Sequence, residues 1–393
     1  MNHYLGYSEQ DLESLKGFWT AKEIEQQPSC WRKTDAILKE CSTTISEFMN
    51  VVLAQPELRI IMTGAGTSAF AGRALAPLLS EKLERRVEAI ATTDIVSNPA
   101  QYFAEDIPTL LVSFARSGNS PESVAAVELG NQFLTNCYHL VLTCNADGQL
   151  YKNSLNDAKA LSVLMPEETN DQSFAMTSSF SSMMLSALSI LDGNNDYTKA
   201  IENICRCSEA LVKEFNAKIC DIASHDIDRV IYLGSGGLQG LAQESALKLL
   251  ELTAGKVVAA FDSPLGFRHG PKSIVDPKTM IVVYISNDPH TRKYDLDLLD
   301  ELRRDNNAGK VIAIAAQLDE CVTEGHYCHV PMMDTATDAE LLFPYILFAQ
   351  IYSFHRALAL GNTPDNPCPT GEVNRVVQGV SIYYSYDYLN NKK

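Results

Sequence analysis

Short apolar runs and longer amphipathic stretches alternate along most of this chain. Strand-like runs, almost wholly apolar, fall at 58–63, 87–90, 109–114, 139–144 and 161–165, with helical periodicity near 68–84, 120–135 and 174–191. A second series repeats the order, with strands near 229–233, 257–261, 280–285, 310–315 and 327–330 and helices near 238–254, 291–306 and 336–360. Runs that are apolar on both alternating faces predict strands covered on both sides. Alternation with helices predicts right-handed crossovers and parallel sheets, hence an α/β fold. Residues 8–55 read as polar to amphipathic helices, with Ser8 and Asp11 spaced as a capping box in which Asp replaces the usual Glu or Gln. A helical connection over about 196–225 joins the two series, and a Pro- and Asn-rich tail follows Gly361. The 393 residues suffice for two ordinary domains.

The two series read as a weak internal duplication. Gly64-Ala-Gly-Thr-Ser68 follows one apolar strand, and Gly234-Ser-Gly-Gly237 answers it in the second half. A second turn of the first half, Ser113-Phe-Ala-Arg-Ser-Gly-Asn-Ser120, follows Thr109-Leu-Leu-Val112; its counterpart after Val282-Val-Tyr-Ile285 is Ser286-Asn-Asp-Pro-His290, without the Ser-Gly-x-Ser pattern. A strand that breaks at glycine and enters a helix leaves backbone N–H groups converging on one spot. Hydroxyls add donors there, and the helix dipole favours an anion. Pro121 suits the first helical turn because its missing N–H has no partner to lose. The first half is therefore expected to hold a phosphate, through Gly66, Thr67, Ser68, Arg116, Ser117, Gly118 and Ser120. A dinucleotide reading of Gly64-x-Gly66, with Ala69 for the third glycine and Glu88 as the acidic residue, is the weaker alternative.

Composition narrows the partners. Net charge is −17, a field that repels nucleic acid and anionic lipid, so neither is an expected partner. No apolar stretch reaches the length of a membrane span, and the N-terminus lacks the pattern of a secretory signal. The ten cysteines are scattered. Cys321, His326, Cys328 and His329 would split between the two faces of a strand, so no metal site is expected and a cytoplasmic location follows.

Two further segments carry acid–base chemistry. On Gln243-Glu-Ser-Ala-Leu-Lys-Leu-Leu-Glu251, Glu244, Lys248 and Glu251 share one helical face, and Leu247, Leu249, Leu250 and Leu252 are expected to bury the other. A carboxylate at the edge of a buried site can act as a base. In Arg268-His269-Gly-Pro-Lys272 the Gly-Pro break places His269 on a rigid loop, a candidate second acid–base group.

The ordered set Gly-x-Gly-Thr-Ser, Ser-Gly-x-Ser, a Thr/Ser-rich helix start, Ala-Leu-Lys-Leu-x-Glu and His-Gly-Pro resembles the sugar isomerase (SIS) proteins. It is similar to the isomerase half of glucosamine-6-phosphate synthase, over about residues 45–367. The resemblance implies two tandem SIS domains, each a flavodoxin-like parallel sheet sandwiched by helices, after an N-terminal helical segment. The expected boundaries are 1–45, 46–200, 213–363 and a tail, 364–393, covering the site. It implies that Ser68, Ser117 and Ser120 bind a sugar phosphate. Thr177 and Ser178, in Phe174-Ala-Met-Thr-Ser-Ser-Phe180, would line the sugar site. Glu251 would move a proton between sugar C1 and C2, and His269, linked to ring opening, would be lent by a neighbouring subunit of a homodimer or higher oligomer. Arg116 stands where that relative has glutamine. No glutamine-amidotransferase domain precedes the pair, and the lysine that forms a Schiff base in the relative has no counterpart before Lys392.

The tail Asp365-Asn-Pro-Cys-Pro-Thr-Gly-Glu-Val-Asn-Arg375, with Phe267-Arg-His-Gly-Pro-Lys272, looks most like the tagatose-6-phosphate ketose/aldose isomerase family. That family resembles a galactosamine-6-phosphate deaminase/isomerase of N-acetylgalactosamine catabolism. The implied activity is a cofactor-free conversion of galactosamine 6-phosphate to tagatose 6-phosphate and ammonia. The alternatives are non-deaminating isomerisation of a sugar phosphate, deamination of glucosamine 6-phosphate, and a non-catalytic sugar-phosphate sensor.

Overall fold

The computed structural model describes residues 2–193, 198–377 and 379–383. All ten expected strands form, in two five-stranded parallel sheets. The first contains β1 (Arg59–Thr63), β2 (Val87–Ala89), β3 (Thr109–Ala115), β4 (Cys137–Thr143) and β5 (Ala160–Leu164), in the order β2-β1-β3-β4-β5. The second contains β6 (Arg229–Leu233), β7 (Val258–Asp262), β8 (Thr279–Tyr284), β9 (Lys310–Ala315) and β10 (His326–His329), in the order β7-β6-β8-β9-β10. Both orders are the flavodoxin-like 2-1-3-4-5.

Two compact units divide the chain. One (Lys33–Asn170, Ser179–Asp196, Val373–Lys393) holds the first sheet, with α2 (Thr67–Leu83) and α3 (Pro121–Phe133) as crossovers. Ile61 and Leu111 pair across β1 and β3 and pack with Ala126 and Leu129 of α3 and with Ile95 and Phe103. The other (Met1–Arg32, Asp171–Ser178, Tyr197–Glu372) holds the second sheet. Its helices include α1 (Phe18–Glu25), α5 (Thr198–Ser224), α6 (Gly237–Leu252), α7 (Thr291–Asp305) and α8 (Asp338–Ala359); α4 is Ser178–Leu191. Ile231, Ile281 and Val311 lie side by side across three strands, with Leu233, Val283 and Ala313 one pleat on, and Leu298, Leu299 and Leu302 of α7 cover that face. α8 is buried on all sides from Leu341 to Ala357, as expected of a helix apolar all round.

The N-terminus differs from expectation in two details. A two-stranded hairpin, His3–Tyr4 with Tyr7–Ser8, precedes the first helix. The Ser8 Oγ accepts from the Asp11 N–H at 3.2 Å, but the Asp11 carboxylate takes the Ser8 hydroxyl at 2.6 Å. Asp is one methylene shorter than Glu, which accounts for its bonding the hydroxyl instead of reaching back to the amide.

Candidate active site

β1 and β3 are neighbours whose crossovers leave in opposite directions, so their C-terminal ends form the switch point where doubly wound sheets bind ligands. Both serine-bearing turns sit there. Gly66 turns the chain at φ 56° and ψ −127°, and Thr67 and Ser68, both buried, open α2. The second turn depends on Gly118 at φ 64°, where a Cβ would meet the Gly148 Cα at 3.2 Å. Asn145 Nδ2 donates to the Ser117 carbonyl at 2.9 Å, and the Leu150 N–H to the Gly118 carbonyl at 3.1 Å, so the turn is fixed on the next loop. Ser120 is the N-cap of α3 and accepts from the Ser123 N–H. Two helix N-termini with adjacent hydroxyls make an oxyanion cradle. Arg116 is buried, and its guanidinium donates to the Arg375 carbonyl at 2.7 Å; Arg375 in turn donates to Asn170 Oδ1 at 3.1 Å. The tail residue Arg375 thus reaches Arg116 beside the second turn, a link that no local pattern announces. Glu88 is engaged by Arg59 at 2.5 Å and Arg86 at 3.0 Å. Burial raises its pKa, but the two guanidiniums outweigh this and leave it below the usual carboxylate range. That occupation argues against a ribose-binding role.

In the other unit, the segment carrying Thr177 and Ser178 is held by buried acids. Asp171 accepts from the Thr177 N–H at 2.9 Å and from the Ser178 hydroxyl. Gln26 Nε2 donates to the Ser178 Oγ at 3.1 Å, so this hydroxyl is engaged within the protein. Glu23 of α1 takes the Gln172 N–H and, at 3.2 Å, the Ser173 N–H. Burial, and then the Asp171 charge, push Glu23 up to about 8, against the lowering effect of those hydrogen bonds. A carboxyl raised on folding stabilises fully below its unfolded pKa and loses that contribution as pH rises through the folded value. Buried His139 and His355, pulled down by burial to about 4, act oppositely, but only below the ordinary histidine range. Between about pH 6.5 and 8, stability is therefore expected to fall with a slope of up to about 1.4 kcal/mol per pH unit. Glu23→Gln should flatten the slope. Urea unfolding of both proteins across this range is the check, and an unchanged slope in the variant would disprove the assignment.

The third group lies on α6. Lys248 and Glu244 have fully buried side chains, and Glu251 is 22% exposed. The Lys248 ammonium lies 2.5 Å from Glu251 and 3.4 Å from Glu244. The expected burial pattern needs correction: Leu249 and Leu252 are buried, but Leu250 is 46% exposed while the charged face is inside. A sequestered ammonium with carboxylates one helical turn to either side compensates its own desolvation, so this face need not meet water. Burial lowers the Lys248 pKa, and the Glu244 and Glu251 charges more than reverse this, so the lysine remains a cation. Glu251 is partly open and hydrogen-bonded to that cation.

His269 lies between a short helix, Pro264–Phe267, and a 3₁₀ turn, Pro271–Ile274. Arg268 Nε donates to Glu301 at 2.8 Å and Lys272 pairs with Asp305 at 2.5 Å, tying the loop to α7. The imidazole itself is exposed and makes no hydrogen bond or ion pair among the described residues. Lys392 lies outside the described residues. Among the described residues no group of three or more His, Cys, Asp or Glu is arranged to hold a metal ion, and no helix is long and apolar enough to cross a membrane.

Two segments of the chain, 52–191 and 222–359, match the SIS domain model. The chain belongs to the SIS-domain family. Within it, the chain is 48% identical over 370 residues to the D-galactosamine-6-phosphate deaminase AgaS of Escherichia coli, covering 93% of this chain and 96% of that one. The deaminase of the same name from Shewanella sp. is 47% identical over 379 residues, with 96% and 94% covered. The solved tagatose-6-phosphate ketose/aldose isomerase of Escherichia coli superposes with a TM-score of 0.89 at 45% identity, covering 94% of this SIS chain and 97% of that one.

Proposed function

We propose that this SIS protein is a deaminating aldose–ketose isomerase, converting galactosamine 6-phosphate to tagatose 6-phosphate and ammonia without a cofactor, in the breakdown of amino sugars such as N-acetylgalactosamine. The observation that carries the reading is the near-full-length match, at 48% identity, to a relative named for this deamination. The seryl turns and the Glu244–Lys248–Glu251 cluster fit the chemistry it needs.

In this reading the 6-phosphate is held by Gly66, Thr67, Ser68, Arg116, Ser117, Gly118 and Ser120. Thr177 and Ser178 belong to the segment that lines the sugar, Ser178 by fixing its shape. His269 assists ring opening. Glu251 takes the proton from C2 while O1 accepts one from solvent, giving a cis-enolamine; it then returns its proton to C1, and loss of a proton from the nitrogen leaves an imine at C2. Water adds to that imine and ammonia leaves, so the ketose keeps the water's oxygen. Phosphate binding remote from the reacting carbons can fix their orientation. We also propose a homodimer or larger assembly that shares His269. Its support is the exposed imidazole and the exposed Leu250, Val258, Phe261, Leu265 and Ile274 on the elements flanking it. A cytoplasmic setting fits the ten cysteines in their thiol form.

The isomerase name of the solved relative favours one rival, aldose–ketose exchange without loss of nitrogen. Ammonia release from galactosamine 6-phosphate and glucosamine 6-phosphate, assayed side by side, separates the readings. Release from the galacto epimer alone is expected. Absence of ammonia, with solvent exchange of the C1 proton of tagatose 6-phosphate, would replace the deaminase with the isomerase.

A further inference from the structure

The two central strands of the second sheet and the starts of their crossover helices repeat those of the first at a constant spacing. An offset of 170 residues carries Arg59 onto Arg229 and Thr109 onto Thr279 in the strand register, and Thr67 onto Gly237 and Pro121 onto Thr291 at the starts of the crossover helices. Gly236 has φ 56° and ψ −124°, against 56° and −127° at Gly66. The same offset pairs Ala65 with Ser235, Ser68 with Leu238, Arg116 with Ser286, Ser117 with Asn287, and Ser120 with His290. A second turn pair therefore stands at the switch point of the second sheet; its glycine turn has the shape of the first half's, whereas its other turn differs, with His290 at φ −83° and ψ −53° against −64° and 134° at Ser120.

Its donors already have acceptors. The Ser235 hydroxyl donates to Asp295 Oδ1 at 2.5 Å and the Ser286 N–H to Asp295 Oδ2 at 2.9 Å. The Ser286 hydroxyl donates to Asp338 Oδ2 at 2.5 Å and the Asn287 N–H to Asp338 Oδ1 at 2.9 Å. Four donors from both turns thus converge on two carboxylates, and Asp295 is wholly buried. Asn287 Nδ2 donates to the Met333 and Ala336 carbonyls at 2.8 Å each, which holds the N-terminus of α8, and with it Asp338, against the turn. The first half has no equivalent of Asp295. The residue 170 positions earlier on α3 is Ala125, also buried. Burial raises Asp295 to about 6 and the neighbouring Asp338 charge adds to the rise, while the Ser235 and Ser286 hydrogen bonds and Arg292 oppose it. Two neighbouring carboxylates on hydroxyl and amide donors reproduce the demand of a phosphate dianion on such a cradle.

We propose that the second turn pair is an oxyanion cradle filled by the chain's own carboxylates, Asp295 and Asp338, so that each chain takes up one phosphate group and not two. The count of one rests on the reading of the first cradle as a phosphate site; the closure of the second does not.

The probe is inorganic phosphate on the full chain, read as the rise in melting temperature against chloride of equal ionic strength. The native chain is expected to respond, and Ser117→Ala/Ser120→Ala to respond weakly or not at all. Adding Asp338→Ala to that background removes one internal ligand while leaving the capping box of Thr337 and Glu340 intact. Phosphate affinity is then expected to rise by about tenfold or more. Asp338→Asn, which keeps the side-chain shape, is the second variant and should gain in the same direction. The proposal is overturned if both variants fold by circular dichroism and neither gains. It is equally overturned if the Ser117→Ala/Ser120→Ala chain still responds and Ser286→Ala abolishes the response. A native chain indifferent to phosphate would count against the first cradle only, and the Asp338 variants would still decide the second.

Discussion

Glu251→Gln lowers kcat for ammonia release by about 10²–10⁴-fold or more, the loss expected when a positioned general base is removed, while sugar-phosphate binding is retained. The amide has the shape of the carboxylate but cannot accept the C2 proton. Lys248 keeps Glu244 at 3.4 Å, so the buried cation still has a counter-charge and the helix should hold. The phosphate-binding residues are untouched, so affinity for tagatose 6-phosphate should change little. Near-normal turnover in a variant that still binds this ketose would refute the role of Glu251. The same protein also tests subunit sharing. Mixed with a His269→Ala variant, which carries an intact Glu251, it should regain part of the native activity if the imidazole serves a neighbouring chain. Mixtures that stay as inactive as the separate variants would confine His269 to its own subunit.

What the sequence made legible depended on how far apart the interacting residues lie along it. The central strands β1, β3 and β8 show directly because a doubly covered parallel strand must be apolar on both faces, and each of the ten strand boundaries falls within about two residues of its expected place, even at the partly exposed edge strands β7 and β10. The glycine turns show for a similar reason: positive φ at Gly66 and Gly118 restricts the residue type, and the flanking hydroxyls are adjacent in sequence. The burial of Lys248 and Glu244 was not legible. An i, i+4 pair on a helix has the same pattern whether it meets water or the interior, and Leu250, expected to be buried, lies on the exposed side. Least legible were contacts that close over long separations. Glu23 holds Gln172 and Ser173, Asp365 caps the N–H groups of Trp19 and Thr20, and Arg116 takes the carbonyl of Arg375. Each uses a common polar residue in a position that no period singles out. The carboxylates in the second cradle belong with these. The absence of Ser-Gly-x-Ser after β8 was visible in the sequence, but its replacement by Asp295 and Asp338 required the fold.

Lys248→Met is expected to destabilise the protein by about 3–5 kcal/mol, the loss seen when one partner of a buried ion pair is removed. Methionine is close to lysine in length and apolar, so the effect should come from charge and not from a cavity. With the ammonium gone, Glu244 remains a buried carboxylate without its nearest cation, and Glu251 loses its 2.5 Å partner. Protonating either acid would relieve the penalty, so the variant's deficit should shrink as pH is lowered toward the carboxylate range. The native lysine works in the opposite pH direction. Its raised pKa means that its contribution is complete below the unfolded lysine value and is lost only as pH rises through the folded one. The companion Glu244→Gln/Lys248→Met separates charge from packing. If the interior objects to an uncompensated carboxylate, the double variant recovers much of the stability, a coupling a double-mutant cycle in urea would measure directly. Recovery of stability should not restore turnover, because Glu251 would still lack the cation beside its carboxylate. A Lys248→Met protein as stable as the native one at neutral pH would show that the buried charges are not coupled.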